Sequence, residues 1–192
     1  KVRELLQSDV ETVSWIDYGE SFYYYPFPQE PSVWKHDIAM FDFNDHRIRF
    51  TLLSRDTRKI PQQINCGMWE WETPHWSEDA KREKDAFFAK VLRQSFAKRI
   101  VSGVYLLGDG FDGNWLSETL RVLGPNRRVF IGKNLYTKGA AYAAFIRQNP
   151  SIWNYCYDCD YKVRTDVQLM VTVNGEQTCI PVTVSGEDWF EQ

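Results

Sequence analysis

The chain predicts an α/β fold: one lobe built on a five-stranded mixed sheet flanked by helices, with a C-terminal β-hairpin attached. Three observations carry this. Residues 37–72 hold three strand-like runs joined by short polar turns, which makes a meander. From Ser102 the pattern changes to strand, helix, strand, helix, which adds strands to the same sheet and helices to its faces. Beyond Pro150, two strand-like runs flank Asn174-Gly175, the strongest short-range hairpin signal in the sequence.

In chain order, Lys1 to Gln7 reads as the tail of a helix, and Thr12-Val-Ser-Trp-Ile16 as a short strand-like run. Asp17 to Tyr25 has the aromatic faces of a short helix. Pro26, Pro28 and Pro31 then stop regular structure, because proline lacks an amide donor and restricts the residue before it. Asp37-Ile-Ala-Met-Phe-Asp-Phe43 is the apolar run of a strand buried on both faces. Asn44-Asp-His46 is a turn, Arg47 to Ser54 begins with the alternation of an antiparallel neighbour, and a third strand lies within Gln62 to Glu72.

Ser77 is the expected N-cap of the next helix, with Glu78 and Asp79 in its first turn. That helix is expected to run to about Ile100, with Phe87, Phe88, Val91, Leu92 and Phe96 as its buried stripe. Its cations Lys81, Arg82, Lys84 and Lys98 read as a solvated face. Strands follow at Gly103 to Leu107 and Arg128 to Ile131, and helices at Trp115 to Leu123 and Tyr136 to Arg147. The hairpin strands are Tyr161 to Val173 and Gln177 to Val184, and Pro181 marks the second as an edge or bulged strand.

Composition narrows the function classes. Apolar residues at 43% and charged residues at 26% describe a globular protein, and 192 residues suffice for one substantial domain. A net charge of −3 gives no basic footprint for nucleic acid. No run approaches the roughly 20 apolar residues of a membrane span and no signal peptide is visible, so the expected location is cytoplasmic. A first residue of Lys suggests a fragment or a processed product. Aromatic residues reach 16%, and Phe22-Tyr-Tyr-Tyr-Pro-Phe27 and Trp69-Glu-Trp71 are candidate contact clusters as well as core. Cys156-Tyr-Asp-Cys159 has the spacing of a metal knuckle or a redox pair. A structural zinc site needs four ligands, though, and Cys66, Cys179, His36, His46 and His75 are scattered, so reduced thiols come first. No Ser–His–Asp or Cys–His set has spacing suited to nucleophilic catalysis.

The chemistry-bearing run is Val104-Tyr-Leu-Leu-Gly-Asp-Gly-Phe-Asp-Gly113, an apolar strand ending in glycines that open a helix. Backbone can approach a ligand closely there, and helix-start N–H groups suit an anion. Together with Asp42-Phe-Asn-Asp-His-Arg47 between two strands, and Gly139-Ala-Ala-Tyr-Ala-Ala144 starting a helix after a second strand, this order resembles the actin-like ATPases. That superfamily includes actin, the seventy-kilodalton heat-shock chaperones and the sugar kinases. The resemblance covers about residues 1–148. Gly132-Lys-Asn-Leu-Tyr-Thr-Lys-Gly139 also looks like an uncharacterised bacterial actin-like family with a C-terminal β extension.

The resemblance implies a division into 1–31, the end of a first lobe and a crossing segment; 32–150, a ribonuclease-H-like second lobe; and 151–192, the hairpin extension. It implies nucleotide contacts at Asp42, Asn44, Asp45, Gly108, Asp109, Gly110, Lys138 and Gly139, with Asp42 and Asp45 holding Mg²⁺ through its bound water. Departures weaken that reading. Asn44, Asp45 and His46 stand where the family has glycines that let backbone N–H groups reach phosphate. Asp109 replaces a second glycine and sets a negative charge toward a phosphate. Asp42 either caps a turn or keeps a metal–phosphate role; Gly108 and Gly110 either permit a sharp turn or also touch ligand. Gly139 and its alanines read first as close packing, and Lys138 as solvated. The expectation is a fragment of an actin- or chaperone-like protein, its partner the missing first lobe or another protein, including itself. It would act in binding or assembly, with nucleotide binding weakened or lost and no ATPase activity alone. The alternative is the second lobe of a working Mg-ATP-dependent ATPase.

Overall fold

A computed structural model describes residues 13–14, 16–44, 46–77, 79–159, 162–163, 165–184 and 187. The expected helix tail at Lys1 to Gln7, the positions Thr12 and Trp15 of the first run, and Asp45, Glu78 and Tyr161 lie outside the described residues. Val13, Ser14 and Ile16 are not in a strand.

The elements in order are α1 (Tyr18–Tyr24), β1 (Asp37–Asn44), β2 (Arg47–Asp56), β3 (Gln62–Glu72), α2 (Lys81–Ser95), β4 (Val101–Leu107), α3 (Glu118–Leu123), β5 (Arg128–Ile131), α4 (Leu135–Gln148), β6 (Tyr155–Asp158), β7 (Val167–Val173) and β8 (Glu176–Thr183). The fold is α/β. A mixed six-stranded sheet has the order β5-β4-β1-β2-β3-β6, and β7 and β8 form a separate antiparallel pair. β1, β2 and β3 are an antiparallel meander. β4 and β5 join on the other side of β1, both parallel to it, and β6 pairs parallel with the start of β3.

The sheet therefore has six strands rather than the five expected from sequence. The extra strand is Tyr155–Asp158, the segment whose cysteine spacing suggested a metal knuckle. Only four residues long, it is held by pairing with Gln62 to Asn65, far away in sequence. Among the described residues no cluster of three or more His, Cys, Asp or Glu side chains is placed to hold a metal ion. Nor is any helix among them long and apolar enough to cross a membrane.

Strand side chains alternate between faces, and each face of the sheet has its own core. On one face Ala39, Phe41 and Phe43 pack with Phe50, Leu106, and Phe88 and Leu92 of α2. On the other, Ile38, Met40, Tyr105 and Leu107 pack with Phe22 and Tyr23 of α1 and Leu135 of α4. Phe22 and Tyr23, in a run read as a candidate contact cluster, are thus core. The Tyr23 hydroxyl donates to the Tyr155 carbonyl at 2.9 Å, and the Trp153 indole N–H donates to the Tyr23 hydroxyl.

Two helix boundaries differ from the sequence expectation. Ser77 does not cap α2, which begins four residues later after Ala80 and ends at Ser95. Lys98 adopts a left-handed φ of 64°, so the helix cannot continue to Ile100. α3 begins at Glu118 rather than Trp115 because Asp85 of α2 fixes its start. The Asp85 carboxylate accepts the backbone N–H groups of Ser117, Glu118 and Thr119 at 2.8, 2.6 and 2.9 Å. These are orphan donors of a helix start, satisfied from another helix.

Candidate functional site

β1 and β4 are adjacent and parallel, with Asp42 opposite Leu107, so their C-terminal ends open side by side. In open α/β sheets, the carboxyl ends of neighbouring strands whose connections diverge form a natural crevice. Here the chain leaves β1 toward β2 on one side, while β4 and β5 lie on the other. The turns after β1 and β4 are the ones that sequence reasoning picked out.

The two turns are stitched together. Asn44 Oδ1 accepts the backbone N–H of Asp109 at 3.0 Å, while Asn44 Nδ2 donates to Asp42 Oδ1. The second Asp42 oxygen accepts from the Tyr136 hydroxyl of α4 at 2.7 Å. Burial, with the Asp42 hydrogen bond adding to it, pushes the Tyr136 phenol well above its ordinary range. Lys133, in the turn after β5, donates to Asp109 Oδ1 and Asp112 Oδ2, both at 2.9 Å. Those bonds push the Lys133 pKa up to about 12.

The glycines of the second turn are set against Phe43. Gly108 has φ +96°, a conformation that L side chains rarely adopt, and a Cβ there would overlap the Phe43 carbonyl oxygen. A Cβ on Gly110 would overlap the Phe43 ring. Both glycines are required by this close approach.

Two hollows flank the stitch. One, of about 420 Å³, is lined by Phe43, Asn44, Trp76, Lys84, Asp109 and Trp115 among others, with His46, Gly110 and Asp112 also on its wall. Lys84 Nζ lies 5.0 Å from the Phe43 ring centroid and 4.5 Å from that of Trp115, a cation–π arrangement. Burial there pulls its pKa down. The other hollow, of about 400 Å³, is lined by Tyr18, Asp42, Asn44, Arg47, Arg49 and Tyr136. Arg49 and Arg47 both pair with Glu70, at 2.8 and 3.5 Å. Asn44 lines both hollows and forms the wall between them.

The structure thus brings Asp42, Asn44, Gly108, Asp109 and Gly110 to one rim and leaves Lys138 and Gly139 away from it. Asp42 and Phe43, adjacent in a strand, point to opposite faces, so Asp42 does not share the hollow of Gly110. Lys138 is exposed and lines neither hollow. Gly139 is buried one turn into α4, where a Cβ would overlap the Ser21 carbonyl oxygen of α1; its contact is helix on helix. Asp45 lies outside the described residues. Sequence reasoning missed Tyr136 and Lys133, although both fall in the run from Gly132 to Gly139 that it singled out. It also assigned Lys84 to a solvated face.

The family model described as "Family of unknown function (DUF5716) C-terminal" matches residues 1–160, and the chain belongs to that family. No curated protein matches it.

Proposed function

We propose that this member of the DUF5716 C-terminal family is the second, ribonuclease-H-like lobe of an actin-like protein that has weakened or lost its nucleotide chemistry and acts as a binding or assembly module. The strand order β5-β4-β1-β2-β3, with the first three strands in sequence antiparallel and the last two parallel to the first, supports the lobe assignment. The strand β6 is an addition to that plan.

The observation that carries the functional reading is the double use of Asn44. A phosphate at this crevice needs the Asp109 N–H, and Mg²⁺-bound water needs the Asp42 carboxylate. Asn44 takes the first and shares the second with Tyr136. Displacing each such bond costs about 0.5–1.5 kcal/mol, and the Asp42 carboxylate repels an incoming phosphate, while the Asp109 carboxylate is already paired with Lys133. On this reading Mg-ATP binding at the rim is weakened or lost, and we derive no catalytic step from it.

One observation favours the second reading, an active ATPase completed by a first lobe. The aromatic hollow beside Gly110 has the volume of a small-ligand site. Isothermal titration of a longer protein that carries both lobes separates the two. A dissociation constant weaker than about 1 mM for Mg-ATP is expected. Micromolar binding with turnover would overturn the proposal.

A further inference from the structure

Cys156 and Cys159 are close in sequence, but the fold sets them on different sides of the sheet. Successive side chains of a strand face opposite ways. Tyr157 of β6 points into the core beneath α1, and Cys159, two residues on and 8% exposed, belongs to the same core cluster. Cys156 is opposite Gln63 and faces away from that core.

The neighbour of Cys159 is instead Cys66. The parallel register of β3 and β6 sets Ile64 opposite Tyr157 and Asn65 opposite Asp158. One further step sets Cys66 opposite Cys159, just past the end of β6 at Asp158. Burial agrees with this placement, since Cys66 packs against the cluster that holds Ile64, Tyr157 and Cys159. A Cβ on Gly19 of α1 would overlap the Tyr157 hydroxyl and lie 3.6 Å from Cys66 Sγ, so that sulfur sits beside Tyr157 under α1. Adjacent strands run about 4.8 Å apart, inside the roughly 4.4–6.8 Å between Cα atoms that a disulfide spans. All four cysteines are thiols in this structure.

We propose that Cys66 and Cys159 are a redox pair, which a small-molecule disulfide oxidises to a bond fastening β6 to β3. Cys66 is the more exposed of the two, so its thiolate attacks one sulfur of the small disulfide and expels a thiolate. The Cys159 thiolate then attacks the Cys66 sulfur of the mixed disulfide and expels the second. The two protein sulfurs lose two electrons, the small disulfide gains them, and the two thiol protons end on the two released thiols. What the bond controls is the anchorage of β6. That strand is held at the sheet edge by four residue pairs and leads into the β7–β8 hairpin. It lies on the other side of β1 from β4, so the pair acts independently of how the crevice treats nucleotide.

The test uses the 192-residue chain carrying Cys179→Ser, because Cys179 is exposed on the hairpin and could link two chains. Of the four cysteines three then remain, and after the folded chain meets oxidised glutathione the thiol count should fall from three to one. Mass mapping of tryptic peptides without reductant should show residue 66 linked to residue 159 within one chain. Adding Cys156→Ser should keep the link, whereas adding Cys159→Ser should abolish it. The Cys156→Ser chain retains only Cys66 and Cys159, so it decides the question even where a Cys159 variant fails to fold. On oxidation the backbone amides of Tyr155 to Asp158 should exchange with solvent at least about tenfold more slowly. An unchanged thiol count, glutathione adducts without the link, or a bond to Cys156 would each overturn the proposal. Unchanged exchange in β6 despite the bond would overturn the anchoring role.

Discussion

Asn44 and Asp109, from turns 65 residues apart in sequence, are joined by a 3.0 Å bond from the Asp109 backbone N–H to the Asn44 side-chain oxygen. Asn44→Ala removes this bond and the one to Asp42. Because the site is exposed to water, the cost should be modest, about 1 kcal/mol in urea denaturation. Asn44→Asp should cost more than Asn44→Ala at low salt, since it sets a third carboxylate beside Asp42 and Asp109, and the difference should shrink as salt is added.

Gly139 is a position of close approach between α4 and α1. Alanine is the best helix former, so on an exposed helix face Gly→Ala would stabilise by up to about 1 kcal/mol. Here the new methyl would overlap the Ser21 carbonyl oxygen. Gly139→Ala should therefore destabilise by about 1–3 kcal/mol, the usual cost of overpacking, measured by thermal or urea unfolding.

The same two helices share a buried ion pair. Glu20 is 6% exposed, and its carboxylate accepts from Arg147 at 2.9 Å. Arg147→Met leaves Glu20 buried without its counter-ion and should cost about 2–4 kcal/mol, somewhat below a fully buried pair because Arg147 is partly solvated. Restoring neutrality with Glu20→Gln in the same chain should recover part of that loss, which a double-mutant cycle reads directly.

Asp85 links stability to pH. Burial pushes its carboxyl pKa up, but hydrogen bonds from Thr119, Glu118 and Ser117 outweigh this and hold it below the ordinary value. A folded pKa below the unfolded one means that its stabilisation is complete above the unfolded value of about 3.9. It is lost as pH falls through the folded value. Asp85→Asn should flatten the fall in stability below about pH 4 and lower stability at neutral pH. Urea midpoints across pH 2–7 check both.

Much of the fold was legible because its strands carry strong local signals. β3 and β5 lie where the sequence puts them, and β1 extends only one residue further, to Asn44. What escaped depends on long-range contacts. β6 has no pattern of its own and exists through pairing with β3. The start of α3 is set by Asp85, 32 residues before Ser117. At the site, Asp42, Asn44 and the Gly108–Gly110 turn could be named from their strand ends. Their division between two hollows follows from strand alternation but became visible only with the sheet faces assigned. Tyr136 and Lys84 stand on helices, and their aim at the crevice depends on how those helices pack.

The claim that the protein's own side chains close the rim is tested most directly by titrating the ¹⁵N-labelled 192-residue chain with Mg-ATP. The amide signals of Gly108, Asp109 and Gly110 should show no saturable shift up to about 5 mM nucleotide. Saturable shifts at those three amides with a dissociation constant below about 1 mM would contradict the account.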